Sequence, residues 1–167
     1  MIFNRRHLAL FTIVLPMFLS ACWSDALPTL PDQAFTQLDG TEMRTSDFRG
    51  QVLVLNFWAT SCTTCVKEMP QLVAMHERFK ARGLDTLAVA MSYDPPAYVL
   101  EFAKSRQLPF RVAIDHTGEF AQALGPVQLT PTTFIVDKQG VIVKRYIGEP
   151  DFAALHQLLD QLLAAPA

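Results

Sequence analysis

The sequence predicts an α/β domain, a mixed central sheet with helices on both faces, entered through a short N-terminal hairpin extension. Two runs, QVLVLNFW at 51–58 and LDTLAVAMSY at 84–93, are almost continuously apolar, as strands buried on both sides must be. Helical patterns alternate with these runs and with FRVAID at 110–115. TTFIVD and VIVKRYIG then flank Lys138-Gln139-Gly140 and read as a hairpin.

The elements follow in order. FTQLDGTEMRTSDF, 35–48, holds short strand-like pieces around Asp39-Gly40, a turn pair. After Arg49-Gly50 comes the first core strand. From Cys62 to about Arg82, Val66, Met69, Leu72, Val73, Met75 and Phe79 recur at helical spacing, and Gly83 is a natural stop. Beyond the second core strand, Asp94-Pro95 opens a helix with a capping acid and a proline in the first turn. Val99, Leu100, Phe102 and Ala103 give that helix its inner face. GEFAQALG is a short helical turn, and DFAALHQLLDQLLAA closes the chain as an amphipathic helix with Phe152, Leu155, Leu158, Leu159 and Leu162 inward. A chain of 167 residues has room for one domain with a real core, and no internal repeat divides it.

The first residues read as an address. MIFNRRHL is basic, and ALFTIVLPMFL is apolar but too short to span a membrane comfortably, with Pro16 inside it. Leu19-Ser20-Ala21-Cys22 resembles the lipobox of bacterial lipoproteins, in which the cysteine becomes the lipidated first residue. An ordinary secretory signal cut at another small residue is the alternative. Either reading exports the domain to a compartment where disulfide chemistry is normal, the periplasmic side of a bacterial membrane. Trp23 stands where an Asp would signal inner-membrane retention. The expected division is a signal over 1–21, a Pro-rich tether over 22–33 and the domain over 34–167. Losing Arg5 and Arg6 with the signal takes the formal charge from -2 to -4. A mildly acidic domain without Lys/Arg runs gives no reason to expect nucleic acid.

Cys62 and Cys65 stand in FWATSCTTCVKEMP, between a buried strand and a helix. A redox couple, half of a metal site and a pair of buried thiols are the three readings. A disulfide across so short a loop stabilises little, which favours chemistry. Structural zinc wants four ligands; with Cys22 lipidated only two thiols remain, and His76, His116 and His156 are scattered. His76 is expected in solvent, on the helix face away from Val73 and Phe79. A CxxC after a buried strand reads as a redox motif. At the helix start, free N–H groups and the helix dipole favour the Cys62 thiolate, the attacking species, while Cys65 one turn on resolves the mixed disulfide.

These residues carry a resemblance. DFRG, NFWAT, CxxCxxEMP and TPTTFIVDKQGVI, spread over about 28–165, are similar to the TlpA/ResA-like branch of the thioredoxin superfamily: exported, membrane-tethered thiol–disulfide oxidoreductases with a thioredoxin-like three-layer fold. The resemblance implies that Trp58 packs beside the active-site turn and that Glu68 handles protons for Cys65. It implies that Pro70 kinks the helix and that Thr130-Pro131 is a cis bond facing the disulfide. Trp58, Thr130 and Pro131 are then the residues expected to meet the substrate. Asn56 replaces the buried Asp of thioredoxin itself, and Ser61 replaces the Trp that most relatives carry before the first cysteine. The resemblance further implies reduction of protein disulfides, in cytochrome c maturation or thiol protection, with electrons from a membrane dithiol donor. No haem, flavin or nucleotide signature appears, so no cofactor is expected beyond the cysteines, and the scattered histidines give no metal site.

Two rivals share the fold. A thiol peroxidase wants Thr three residues before its reactive Cys, and Ala59 stands there. A Sco-type copper carrier uses CxxxC and a distant His; the spacing here is CxxC, and His156 lies in the closing helix.

Overall fold

The computed structural model describes residues 28–166. The expectations for the signal, for lipidation at Cys22 and for Trp23 therefore lie outside the described residues.

A hairpin of β1 (Ala34–Thr36) and β2 (Glu42–Arg44) comes first. Gly40 takes its turn with φ 87°, a left-handed conformation that side chains disfavour. A 3-10 turn, Thr45–Phe48, leads to β3 (Val52–Trp58), and α1 (Thr63–Phe79) follows with a 3-10 extension over Lys80–Arg82. Then come β4 (Leu84–Ala90), α2 (Pro96–Ser105), β5 (Arg111–Ile114), α3 (Glu119–Ala123), β6 (Thr132–Val136), β7 (Ile142–Ile147) and α4 (Phe152–Ala164). The main sheet has the order β5-β4-β3-β6-β7. β3, β4 and β5 run parallel, whereas β6 is antiparallel to β3 and β7 to β6.

Every residue of β3 and β4 is buried, in keeping with their almost continuously apolar character. The alternation of the strand sorts β3 between two cores. Val52, Val54 and Trp58 face Met69, Leu72, Met75 and Phe79 of α1, Val99 of α2, and Leu155 and Leu159 of α4. Leu53, Leu55 and Phe57 face Leu30, Phe35, Phe48 and Phe120. The two faces are thus covered unequally. Two successive crossovers in one direction put α1 and α2 on the same side. The other side is closed by the hairpin, the first 3-10 turn and the short α3. The hairpin also blunts the edge of the sheet, because Gln37 bridges to Ala113 of β5. No helix among the described residues is long and apolar enough to cross a membrane.

Four local expectations change. Leu100 is 52% exposed, so only Val99 of its neighbours is fully inside. Asp94 does not cap α2; Pro95 holds the cap position with no side-chain bond, and the carboxylate is used elsewhere. His76 is buried rather than solvated, its Nδ1 3.1 Å from Thr86 Oγ1 and its ring edge-on to Phe110. α1 lies so close to β4 that even this polar position is covered. Finally, the domain begins before residue 34. Leu30 is 4% exposed, and its N–H donates to Gly140 O while Ile142 N–H donates to Pro28 O. The stretch from 28 to 33 is packed chain, held by the β6–β7 turn, and not tether.

Candidate active site

β3 delivers the site. Its last residues pair with Ala90 of β4 on one side and Thr132 of β6 on the other, so the chain leaves the sheet at its centre. The turn 59–61 follows, and Cys62 becomes the N-cap of α1. Its Sγ accepts from the Cys65 N–H at 3.2 Å, one of the donors a helix leaves unpaired in its first turn. Cys62 and Cys65 form a disulfide, with Cα atoms 5.2 Å apart.

The two sulfurs differ in access. Cys62 is half-buried, flanked by exposed Ser61, Thr63 and Thr64, whereas Cys65 is fully buried in the core with Met69 and Trp58. A visiting sulfur reaches Cys62 first. Across from it lies the Thr130–Pro131 turn, whose peptide bond is cis. Thr130 O is 3.5 Å from Cys62 Sγ, a van der Waals approach in the disulfide state because neither sulfur carries a proton. Pro131 O is taken by the Gly148 N–H at 2.8 Å, which pins the turn to β7.

Below the disulfide sits a buried polar network. Glu68, on the same face of α1 as Cys65, is completely buried, so it is no surface acid. Asn56 Nδ2 donates to Glu68 Oε1 at 3.1 Å and to Thr133 Oγ1 at 2.9 Å. Burial raises the Glu68 carboxyl from an ordinary 4.5 to about 7; the Asn56 bond opposes the rise and the charge of Glu149 adds to it. Asn56 Oδ1 and Glu68 Oε2 have no partner. Asn56 is no base, yet it fixes the group that can be one.

A second anchor escaped the sequence reading. Asp94, 2% exposed, accepts from Thr60 N at 2.6 Å and Thr60 Oγ1 at 2.5 Å. It ties the loop after β4 to the turn that carries Cys62. Its place just beyond a buried strand was the available signal, but the adjacent proline made a helix cap the simpler reading. Beside it, the Tyr93 hydroxyl is 3.4 Å from Thr130 Oγ1.

Trp58 needs correction. It is 0% exposed, packs at 5.0 Å on Phe102 and lies inside the core, so in this state it meets no substrate. β3 alternation turns it toward α1 and α2, where Phe102 covers it. Pro70 sits inside α1 without ending it. His116 is exposed, and His156 packs on Phe79 at the far end of α1 from Cys62. Among the described residues no group of three or more His, Cys, Asp or Glu converges as metal ligands do.

Comparison with known proteins gives this geometry its context. Residues 25–159 match the Redoxin family. A "Thiol-disulfide oxidoreductase ResA" of Bacillus thuringiensis subsp. konkukian is 34% identical over 132 residues, 79% of this chain and 75% of that one. Its namesake in Geobacillus kaustophilus is 39% identical over 122 residues, 72% and 68% of the two chains. Among solved structures, the pneumococcal exposed lipoprotein thioredoxin of Streptococcus pneumoniae superposes with a TM-score of 0.69 at 26% identity, covering 79% of this chain and 100% of that one. With its cysteine pair at the head of α1 and this sheet behind it, the chain belongs to the Redoxin family and is a thiol–disulfide oxidoreductase.

Proposed function

We propose that the protein reduces disulfides of other proteins, held by a lipid on Cys22 at the periplasmic side of a bacterial membrane. The observation that carries the exchange scheme is the inequality of the two cysteines, one reachable at a helix N-cap and one sealed beside a carboxyl that titrates near neutrality.

In the reduced protein the Cys65 N–H and the head of α1 favour the Cys62 thiolate over the thiol. That thiolate attacks one sulfur of the partner's disulfide. A Cys62–partner bond forms as the partner's sulfur–sulfur bond breaks, and the other partner sulfur leaves as thiolate. The partner chain lies along Thr130, whose backbone is open to it, with Pro131 offering no N–H to compete. Glu68, whose carboxyl burial poises near neutrality, takes the proton of Cys65 as that thiol attacks Cys62. The second partner thiolate departs, and the protein is left with its disulfide and the partner with two thiols. The cysteine pair carries both electrons without further cofactor, and a membrane dithiol donor restores it. Cytochrome c maturation and protection of exported thiols are the two settings that suit a reductant so placed.

Trapping tests the scheme. Cys65→Ser is expected to accumulate partners as mixed disulfides on Cys62, separable on non-reducing gels, and Cys62→Ser to accumulate none. Equal adducts from both variants contradict the assigned roles. Anchoring is supported by the Leu19–Cys22 stretch and by the exposed-lipoprotein description of the pneumococcal structure. It is tested by labelled palmitate, which should enter the unmodified protein and not Cys22→Ser.

A further inference from the structure

Ser61, just before Cys62, is small and exposed, so no aromatic side chain screens the reactive sulfur from its own turn. Another loop brings one. Tyr93 is 60% exposed, and its hydroxyl lies 3.4 Å from Oγ1 of Thr130, the residue whose carbonyl approaches Cys62 Sγ to 3.5 Å. The position is braced from behind, since neighbouring Asp94 grips both polar groups of Thr60. On the other side of the contact Leu129 is 63% exposed, while its carbonyl accepts from Thr132 Oγ1 at 2.7 Å. Its backbone is anchored and its side chain stands in water.

Single exposed apolar residues are ordinary, but a group of them held around a reactive atom marks a contact surface. Among the described residues five large hydrophobics are strongly exposed, and Tyr93 and Leu129 both adjoin the Thr130–Pro131 turn. A third, Ile147, is the register partner of Thr132. Charge offers little competing recognition here. Glu149, next to the Gly148 that pins Pro131, is paired with Lys67 at 3.2 Å.

We propose that Tyr93, with Leu129 beside it, is the specificity-determining contact of the exchange reaction, and that it selects partner chains with an apolar side chain next to the reacting cysteine. The inference rests on the exchange scheme, because a bond to Cys62 is what brings a partner onto these side chains. The turn before Cys62 carries no aromatic ring of its own, and the β4–α2 loop supplies one.

The test uses the reduced protein and two synthetic peptides, each a dimer through one cysteine, flanked by Leu and Phe in one and by Ser and Asn in the other. Each turnover converts the protein dithiol to its disulfide and the peptide disulfide to two thiols, counted by chromatography after acid quench. The expected ratio of second-order rate constants is about tenfold for the apolar peptide, equivalent to ~1.4 kcal/mol. Tyr93→Ala should bring that ratio below about threefold, Leu129→Ser should lower it in part, and Tyr93→Phe should keep it. Leu100→Ser, which alters an exposed leucine on α2, should leave it unchanged. Equal rates in the unmodified protein, or a ratio indifferent to Tyr93→Ala and Leu129→Ser, overturn the inference and leave the exchange scheme intact. Failure to reduce either peptide overturns both.

Discussion

Glu68→Gln should make the oxidised protein more stable, by an amount that grows with pH. Glu68 is fully buried, and burial lifts its carboxyl to about 7 from 4.5. Its folded pKa lies above its unfolded one, so between those values the folded state binds more protons, and stability falls as pH rises. At 1.36 kcal/mol per unit, charging Glu68 costs about 3 kcal/mol once the pH is well above 7, most of it accruing between pH 5 and pH 8. Glutamine keeps an oxygen to accept from Asn56 Nδ2 and cannot ionise. The assay is urea unfolding of both proteins across pH 5 to 8, followed by fluorescence and extrapolated linearly. Subtracting one protein from the other cancels the histidines and surface acids. The expected difference widens in favour of Gln by about 2–3 kcal/mol over that interval. A difference constant to within about 0.5 kcal/mol would refute the reasoning, because it would mean that Glu68 titrates alike in both states. The same variant should resolve mixed disulfides more slowly, which separates the loss of a proton acceptor from any loss of fold.

Other outcomes follow from the same contacts. Asn56→Ala removes the bond that holds the Glu68 carboxyl down, so the pH midpoint for resolution of the mixed disulfide should move upward, as read by quenched-flow. Asp94→Ala leaves Thr60 N–H and hydroxyl without their acceptor and should cost about 1–3 kcal/mol in urea unfolding while slowing attack by Cys62. Burial lowers the His76 pKa, so the unfolded chain takes the proton first. Stability due to a neutral His76 is present above about pH 6.5 and lost as pH falls, and His76→Phe should flatten that acid-side loss in thermal melts. Leu30→Ala should destabilise by about 2–5 kcal/mol, whereas a true tether residue would change nothing measurable.

Much of the architecture is readable along the chain, because it depends on near neighbours. The almost continuously apolar runs of β3 and β4 declare strands buried on two faces, Gly83 marks the stop after α1, and Lys138-Gln139-Gly140 marks the last turn. The cysteine pair and its place at a helix start are equally local. What a polar side chain does, by contrast, depends on which distant segments fold over it. Glu68 is a surface acid or a buried one according to whether Asn56, 12 residues away, and Thr133, 77 from Asn56, close above it. Asp94 passes for a helix cap until Thr60, 34 residues earlier, arrives as its donor. His76 and Leu30 look solvated until β4 and the β6–β7 turn cover them. Periodicity records which face a residue takes, and only packing decides whether water remains on that face.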